Sequence, residues 1–434
     1  MSTNAAPSSL LPNLPGLPEV VTCFRPFVRR ALAVLGVFLL FTVKVNLVDV
    51  AGETAGLRLD DLLLLALAAV FAAGWLVRWR TRLASIEVCF LLMLAAFLLS
   101  NIWNLEVNHQ SSLLYTVRLV EYFLFFYLGI YYAQFYRLTP LVIAWLAVNG
   151  VLMVLQVLDV VGAFTADGYS PTAARAMGIT GGAWEVGAII NFCFAILVAE
   201  HKYSTRRVLV LFAVTFALLL LTGARMPTVA HIVLLLIYFA RNSRNSFTFL
   251  LKVVGPVAIV LGIVFLVPNP IAERSAHLLS FNNLQVFIDQ YNRIPAPNQF
   301  TEIQGLPGSA VSQIDFSWMV RLVKWVYYIK VWLTKPVAWL IGLGPGFVGI
   351  ALDGGWLRLV LEEGLLGTVC FLALFRALGK LHVAMRDITV ALFISMLMID
   401  IHIAYKAMSF VFFVAGCYYQ RKQTLERAQL APAA

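Results

Sequence analysis

Stretches of about 20 mostly apolar residues, the length an α-helix needs to cross the hydrocarbon core of a bilayer, recur along almost the whole chain. Hydrophobic residues make up 61% of the sequence and charged residues only 12%, and the mean hydropathy is +0.86. A soluble fold has too little polar surface to cover that much hydrocarbon. The 434 residues therefore predict one membrane body rather than the roughly three domains that a soluble chain of this length suggests.

The apolar stretches predict spanning helices over 31 to 50, 57 to 77, 86 to 103, 112 to 133, 140 to 162, 183 to 200, 207 to 222, 226 to 240 and 248 to 267. After a long connection, 355 to 377, 388 to 402 and 406 to 420 follow. The fold class expected is an all-α polytopic membrane protein of about 12 transmembrane helices with one long outer loop. Its parts are a tail (1–30), nine spans (31–267), the loop (268–354), three spans (355–420) and a second tail (421–434).

Orientation follows from lysine and arginine, which short cytoplasmic loops retain. On one side of the membrane fall Arg25, Arg29, Arg30, Arg78, Arg80, Arg82, Arg137, Lys202, Arg206, Arg207, Arg241, Arg244 and Lys252. Arg376, Lys380, Arg386, Arg421, Lys422 and Arg427 fall on the same side, nineteen in all. The short connections opposite hold four: Arg58, Arg175, Arg225 and Lys406. Both termini are therefore expected in the cytoplasm and the long loop outside. Reporter fusions near Gln285 should read as outside, and those near Ser204 and Lys422 as cytoplasmic; a cytoplasmic Gln285 would overturn the assignment.

The net charge of +10 is spread over helix ends, so it is not the basic patch of a nucleic-acid binder. Met1 to Val21 is Pro- and Ser-rich without a basic start, and the first spanning helix is expected to direct insertion. Cys23, Cys89, Cys193, Cys370 and Cys417 show no zinc or redox spacing and read as packing residues. No metal ligand set and no cofactor motif is evident.

The outer loop begins with PNP, runs through YNRIPAPNQF and GLPGSA, and becomes helical again from Phe316 to Thr334. There Trp318, Leu322, Trp325 and Ile329 recur at three- and four-residue spacing beside Arg321, Lys324 and Lys330. That pattern predicts an amphipathic helix along the membrane surface.

The outward arginines are the candidates for chemistry. Arg225 in LTGARMP and Arg175 in TAARAMGITGGAWEVG present planar donors that match phosphate oxygens in a fork; either could instead snorkel to headgroups. Glu185, in the turn after Arg175, either caps its helix or meets substrate. Arg321 and Arg358 add two guanidiniums near the outer surface. Asp353, in GLGPGFVGIALDGGWLRLVLEEGLLG, reads as a helix cap or as a carboxylate placed to take a proton from an attacking hydroxyl. Arg358 is four residues before Glu362, the spacing of an intrahelical ion pair, and Glu363 adds a costly charge beside it. Lys44, Arg118 and Glu121 should face the bundle interior, Arg118 and Glu121 on one helix face. His402, beside Asp400, reads as a packed residue. A lipid carrying two phosphates suits such a site, since it would diffuse in the membrane plane and present its head where the arginines lie.

In RAMGITGGAWEVGAII, LTGARMP, the Arg321–Trp325 segment followed by GLGPG, and DGGWLRLVLEEGLLG, taken in that order, the chain resembles the O-antigen polymerase and O-antigen ligase superfamily of bacterial inner-membrane proteins. The likeness covers most of the chain after about Leu113. It implies that the long loop is periplasmic and that glycan moves from an undecaprenyl-diphosphate carrier to an acceptor without a nucleotide sugar; the outward carboxylates form no clear ligand cluster, so metal independence is expected. Arg225, Arg321 and Arg175 would hold the diphosphate, with Glu185, Arg358 and Trp325 around the substrate and Asp353 at the reacting hydroxyl. The partners implied are the lipid-linked oligosaccharides as donor and acceptor, membrane lipids, a chain-length regulator and a flippase. Ligases of the superfamily tend to carry a His-Asn pair where this chain has Asp353-Gly354, a departure that favours the polymerase branch.

The expected function is therefore a polysaccharide polymerase for O-antigen or exopolysaccharide. A ligase that moves glycan to lipid A core is the nearest alternative. A transporter or flippase is another, since Lys44, Arg118 and Glu121 could line a path, but the related halves common in transporters are missing from the sequence.

Overall fold

The computed structural model describes residues 24–43, 46–48, 57–77, 84–104, 110–162, 175–201, 203–242, 316–349 and 351–430, with single positions at 255, 262, 288 and 292. Apart from Gly255 and Gly262, the expected span at 248–267 thus lies outside the described residues, as do Lys44 and Gln285. Thirteen helices carry the described fold: α1 (Pro26–Phe41), α2 (Leu59–Val77), α3 (Ser85–Trp103), α4 (Gln110–Phe135), α5 (Leu138–Val157), α6 (Ala183–Glu200) and α7 (Thr205–Thr222). They continue as α8 (Arg225–Asn242), α9 (Phe316–Leu333), α10 (Pro336–Ile341), α11 (Gly355–Gly379), α12 (Val383–Ser395) and α13 (Tyr405–Leu430).

Five of them, α3, α4 from Leu113, α5, α6 and α7, are long and apolar enough to cross a membrane, so the chain is a membrane-type helical protein. The amphipathic helix expected over Phe316–Thr334 is α9, one residue shorter.

The first expected span, 31 to 50, is not one helix. Pro26 sits in the first turn of α1, where its missing N–H costs nothing, and the helix ends at Phe41 with the Thr42 hydroxyl bonded back to the Phe38 and Leu39 carbonyls. Beyond it, Asn46–Val48 (β1) pairs antiparallel with Leu57–Arg58 (β2). Residues 43 to 50, VKVNLVDV, are apolar enough for a span, but their β-branched residues alternate with polar ones as a strand prefers. Likewise 388 to 402 is not a single helix: α12 starts at Val383, capped by His382 Nδ1 accepting from Ala384 N, and stops at Ser395. A 3₁₀ turn over Ile401–Ile403 follows.

α6 and α13 form the centre. Buried residues surround α6 on every face, including Val186, Ile190 and Phe194, as expected of a helix packed all round by other helices. α13 packs against α4, α6 and α1. A Cβ on Gly129 of α4 would collide with the Phe413 backbone, and one on Gly416 of α13 with the Phe126 carbonyl. Small residues thus let the two backbones touch, the usual means of close helix packing in lipid, and Cys417 Sγ donates to the Gly129 carbonyl at 3.3 Å. At the other end of the bundle from the arginines discussed below, Arg241 makes a two-pronged pair with Asp387 at 3.0 and 2.6 Å, joining α8 to α12.

Candidate functional site

The site is built around a broken helix. Within α11, Gly364 has φ 61° and ψ −169°, which interrupts the ladder and leaves carbonyls before the break open. The loop from Gly342 fills them: Leu343 N donates to the Leu361 carbonyl at 2.8 Å and Gly344 N to the Glu362 carbonyl at 3.0 Å. Ser100 Oγ of α3 donates to the same Glu362 carbonyl at 2.9 Å. No Cβ fits at Gly342, which has φ 83° and would strike the Glu362 backbone, or at Gly364, where a Cβ would strike the Leu340 carbonyl. The glycines of GLGPG and EEGLLG are thus what allows the crossing.

Arg358, in the first turns of α11, holds the loop from inside. It is 0% exposed. Its Nε donates to Glu362 Oε2 at 3.0 Å, Nη1 to Asp400 Oδ2 at 3.1 Å and Nη2 to the Gly349 carbonyl at 2.8 Å. Its guanidinium lies 5.3 Å over the Tyr115 ring, and Glu362 Oε1 accepts from Val348 N at 3.2 Å. The ion pair with Glu362 is the intrahelical one its spacing predicts. Arg358, expected among the outward guanidiniums, is enclosed, with its donors turned inward to two carboxylates and a carbonyl.

Asp353 does not cap α11. Gly354 is the residue before the helix, and no side chain caps it from that position. Asp400 takes the role from across the fold: its carboxylate accepts from Leu352 N at 2.7 Å, Asp353 N at 3.2 Å and Gly354 N at 3.0 Å. Those bonds hold Asp353 at φ 56°, the left-handed region that non-glycine residues rarely enter and that clusters at functional positions. Its side chain is left 38% exposed and meets Arg321 Nε at 2.8 Å.

Three residues on one face of α9 grip this loop. Beside Arg321, Lys324 Nζ donates to the Ala351 carbonyl at 3.0 Å, and Trp325 Nε1 donates to the Leu352 carbonyl at 2.9 Å while its ring lies against Gly354. Tyr328, one turn on, has its phenol pushed up to about 12 by burial, so it stays a neutral donor, here to the Val348 carbonyl at 3.4 Å.

Arg175 and Arg225 meet at a different turn. Arg175 Nε donates to the Thr222 carbonyl at 3.3 Å and Ala176 N to the Leu221 carbonyl at 3.0 Å, beside Gly223, which ends α7 at φ 60°. Arg225 begins α8 two residues later. Glu185 is engaged with backbone: Oε2 accepts from Gly181 N at 2.9 Å and Oε1 from Lys406 N at 2.8 Å and Ala407 N at 3.3 Å. It therefore ties the turn before α6 to the first turn of α13, and it is buried, 4% exposed.

These contacts bring four helix N-termini to one end of the bundle. Glu185 ties α6 to α13, Gly187 packs on Pro227 at the start of α8, and Gly355 packs on His402 just before α13. Helix N-termini carry partial positive charge; Glu185 and Asp400 take amides at three of these four, and Arg175, Arg225 and Arg321 stand among them. The arrangement suits a multiply charged anion. The part the sequence did not reveal is Asp400, whose ties to Arg358 and to the 352–354 backbone span 42 to 48 residues and leave no local pattern. Among the described residues no group of three or more His, Cys, Asp or Glu side chains could hold a metal ion.

The fold and this end of the bundle define a helical, membrane-type protein with a cluster of arginines at one end. No family model matches the chain, and no curated protein matches it either.

Proposed function

We propose that this protein is a membrane polysaccharide polymerase that moves a growing glycan from a polyprenyl diphosphate to the next lipid-linked repeat unit on the periplasmic face. The observation that carries the reading is the Arg321–Asp353 pair: a carboxylate fixed in a strained backbone, open to solvent and touching a guanidinium.

In the resting protein the two charges neutralise each other through Arg321 Nε, and among the described residues the Nη edge makes no further hydrogen bond. A diphosphate on that edge draws Arg321 toward the donor and leaves Asp353 the better base. The acceptor hydroxyl then attacks the anomeric carbon as the bond to the diphosphate breaks. Asp353 takes the hydroxyl proton, and the arginines with the neighbouring helix N-termini stabilise the charge that collects on the leaving diphosphate. The enclosed Arg358 acts on this reaction by holding the loop rather than by touching substrate. The aspartate in place of a ligase-like His-Asn pair favours polymerisation over ligation.

Deleting the gene in the bacterium that carries it is expected to leave surface glycan as single repeat units, read as a collapsed ladder on a gel. Long chains stranded on the lipid carrier would instead identify a ligase, and an unchanged ladder would overturn both.

A further inference from the structure

Beneath the glycine-rich loop lies a cavity between α3, α4, α11 and α13. Tyr115, Tyr122, Pro345, Glu362, Glu363 and His402 line it together with aliphatic, methionine and phenylalanine side chains. Glu363 and His402 are 3% and 7% exposed, yet Glu363 Oε2 and His402 Nδ1 make no hydrogen bond. Buried polar atoms of this kind are costly unless something satisfies them, and internal water is the usual partner where the site is polar and roomy enough.

The charges around the cavity say what that water carries. From α11 come Arg358, Glu362 and Glu363; the 3₁₀ turn brings His402 and, just before it, Asp400. Arg358 already pairs with Glu362 and Asp400. From α4 come Tyr115, which lies under both Arg118 and Arg358, and Tyr122, whose hydroxyl donates to the Ile403 carbonyl. From α13 come Tyr405 and Lys406, whose Nζ donates to the Leu39 carbonyl at 2.7 Å. α3 contributes only Met93 and Phe97 to the lining. A third buried carboxylate thus shares one end of the bundle with a guanidinium that two others already engage, and a positive guest relieves it.

We propose that this cavity is a proton-binding site, in which internal water joins Glu363 Oε2 to His402 Nδ1 and one proton is shared along that path. The site stands apart from the glycan-transfer reading, since it rests on groups that reading does not use. Glu363 is the residue before Gly364, so the proton sits at the break through which the loop carrying Asp353 is threaded.

The test uses the full chain purified in detergent. Infrared spectra at neutral pH should show the carbonyl band of a neutral carboxylic acid that shifts in heavy water and is missing from Glu363→Gln. A proton held only by the folded state raises the unfolding equilibrium constant about tenfold per pH unit once pH exceeds the ordinary glutamate value of about 4.3. The wild-type melting temperature should therefore fall more steeply than that of Glu363→Gln between about pH 5 and pH 8. No such band in the wild type, a band that survives in Glu363→Gln, or equal pH slopes would each overturn the site. So would stabilisation by sodium at fixed pH and ionic strength, which would make it a metal-cation site. If Glu363→Gln does not fold, His402→Asn decides: the shared proton requires the band to titrate at a different pH, and an unchanged titration overturns it.

Discussion

Arg358→Met is expected to yield no detergent-stable protein, whereas Arg321→Met should melt close to the wild type. Both remove one guanidinium paired with a carboxylate, but the surroundings differ. Arg358 is wholly enclosed, and its loss leaves Glu362 and Asp400 buried without the charge that faces them. Breaking a buried pair from one side costs about 3–5 kcal/mol. Here the penalty also falls on the loop, since Asp400 bonds the 352–354 backbone and Glu362 bonds Val348. The Arg321–Asp353 pair is partly exposed on both sides, where such pairs contribute about 0–1 kcal/mol. Arg358→Lys should recover only part, because an ammonium cannot span Nε, Nη1 and Nη2 contacts at once. The readouts are yield after detergent extraction and thermal melting. Wild-type melting of Arg358→Met would remove the buried hub from this account.

Asp353→Asn should abolish chain extension while leaving the fold intact. Asparagine tolerates the left-handed backbone that position 353 requires, and the cap of α11 belongs to Asp400, so neither conformation nor capping is lost. What goes is the basic oxygen. Losing a general base typically costs about 10²–10⁴ in rate, enough to collapse the glycan ladder to single units in cells lacking the wild-type protein. Asp353→Gly is a sharper variant: it relieves the strained backbone, so it should fold at least as well and still fail to polymerise. A normal ladder with Asp353→Asn would show that the carboxylate is not the base.

The long apolar helices were legible because lipid permits little else: α6 begins and ends where its apolar run does, and α9 shows its face through the spacing of Trp318, Leu322, Trp325 and Ile329. The break in α11 was not legible, since LVLEEGLLGTV keeps an apolar face through Gly364 and a lone glycine in a helix is common enough. The candidate arginines could be picked out singly by their outward placement. Their partners could not: Arg321 meets Asp353 across 32 residues and Arg358 meets Asp400 across 42, separations that only tertiary packing sets. Glu185 was readable as a cap for its own helix, but its second task at Lys406 depends on a segment more than 200 residues away.

The contact of α4 with α13 through Gly129 and Gly416 also bears on how the protein is made. A ribosome delivers α13 after every other helix described, yet α13 is what α1, α4 and α6 close around. α4 enters the bilayer with the groove at Gly129 empty, and Glu185 waits with one oxygen for the amides of Lys406 and Ala407. A nascent chain halted before residue 405 therefore has α6 but lacks the second of its two central helices. The helices already inserted hold that groove open until α13 arrives, so the last helix to be made completes the packing of the first.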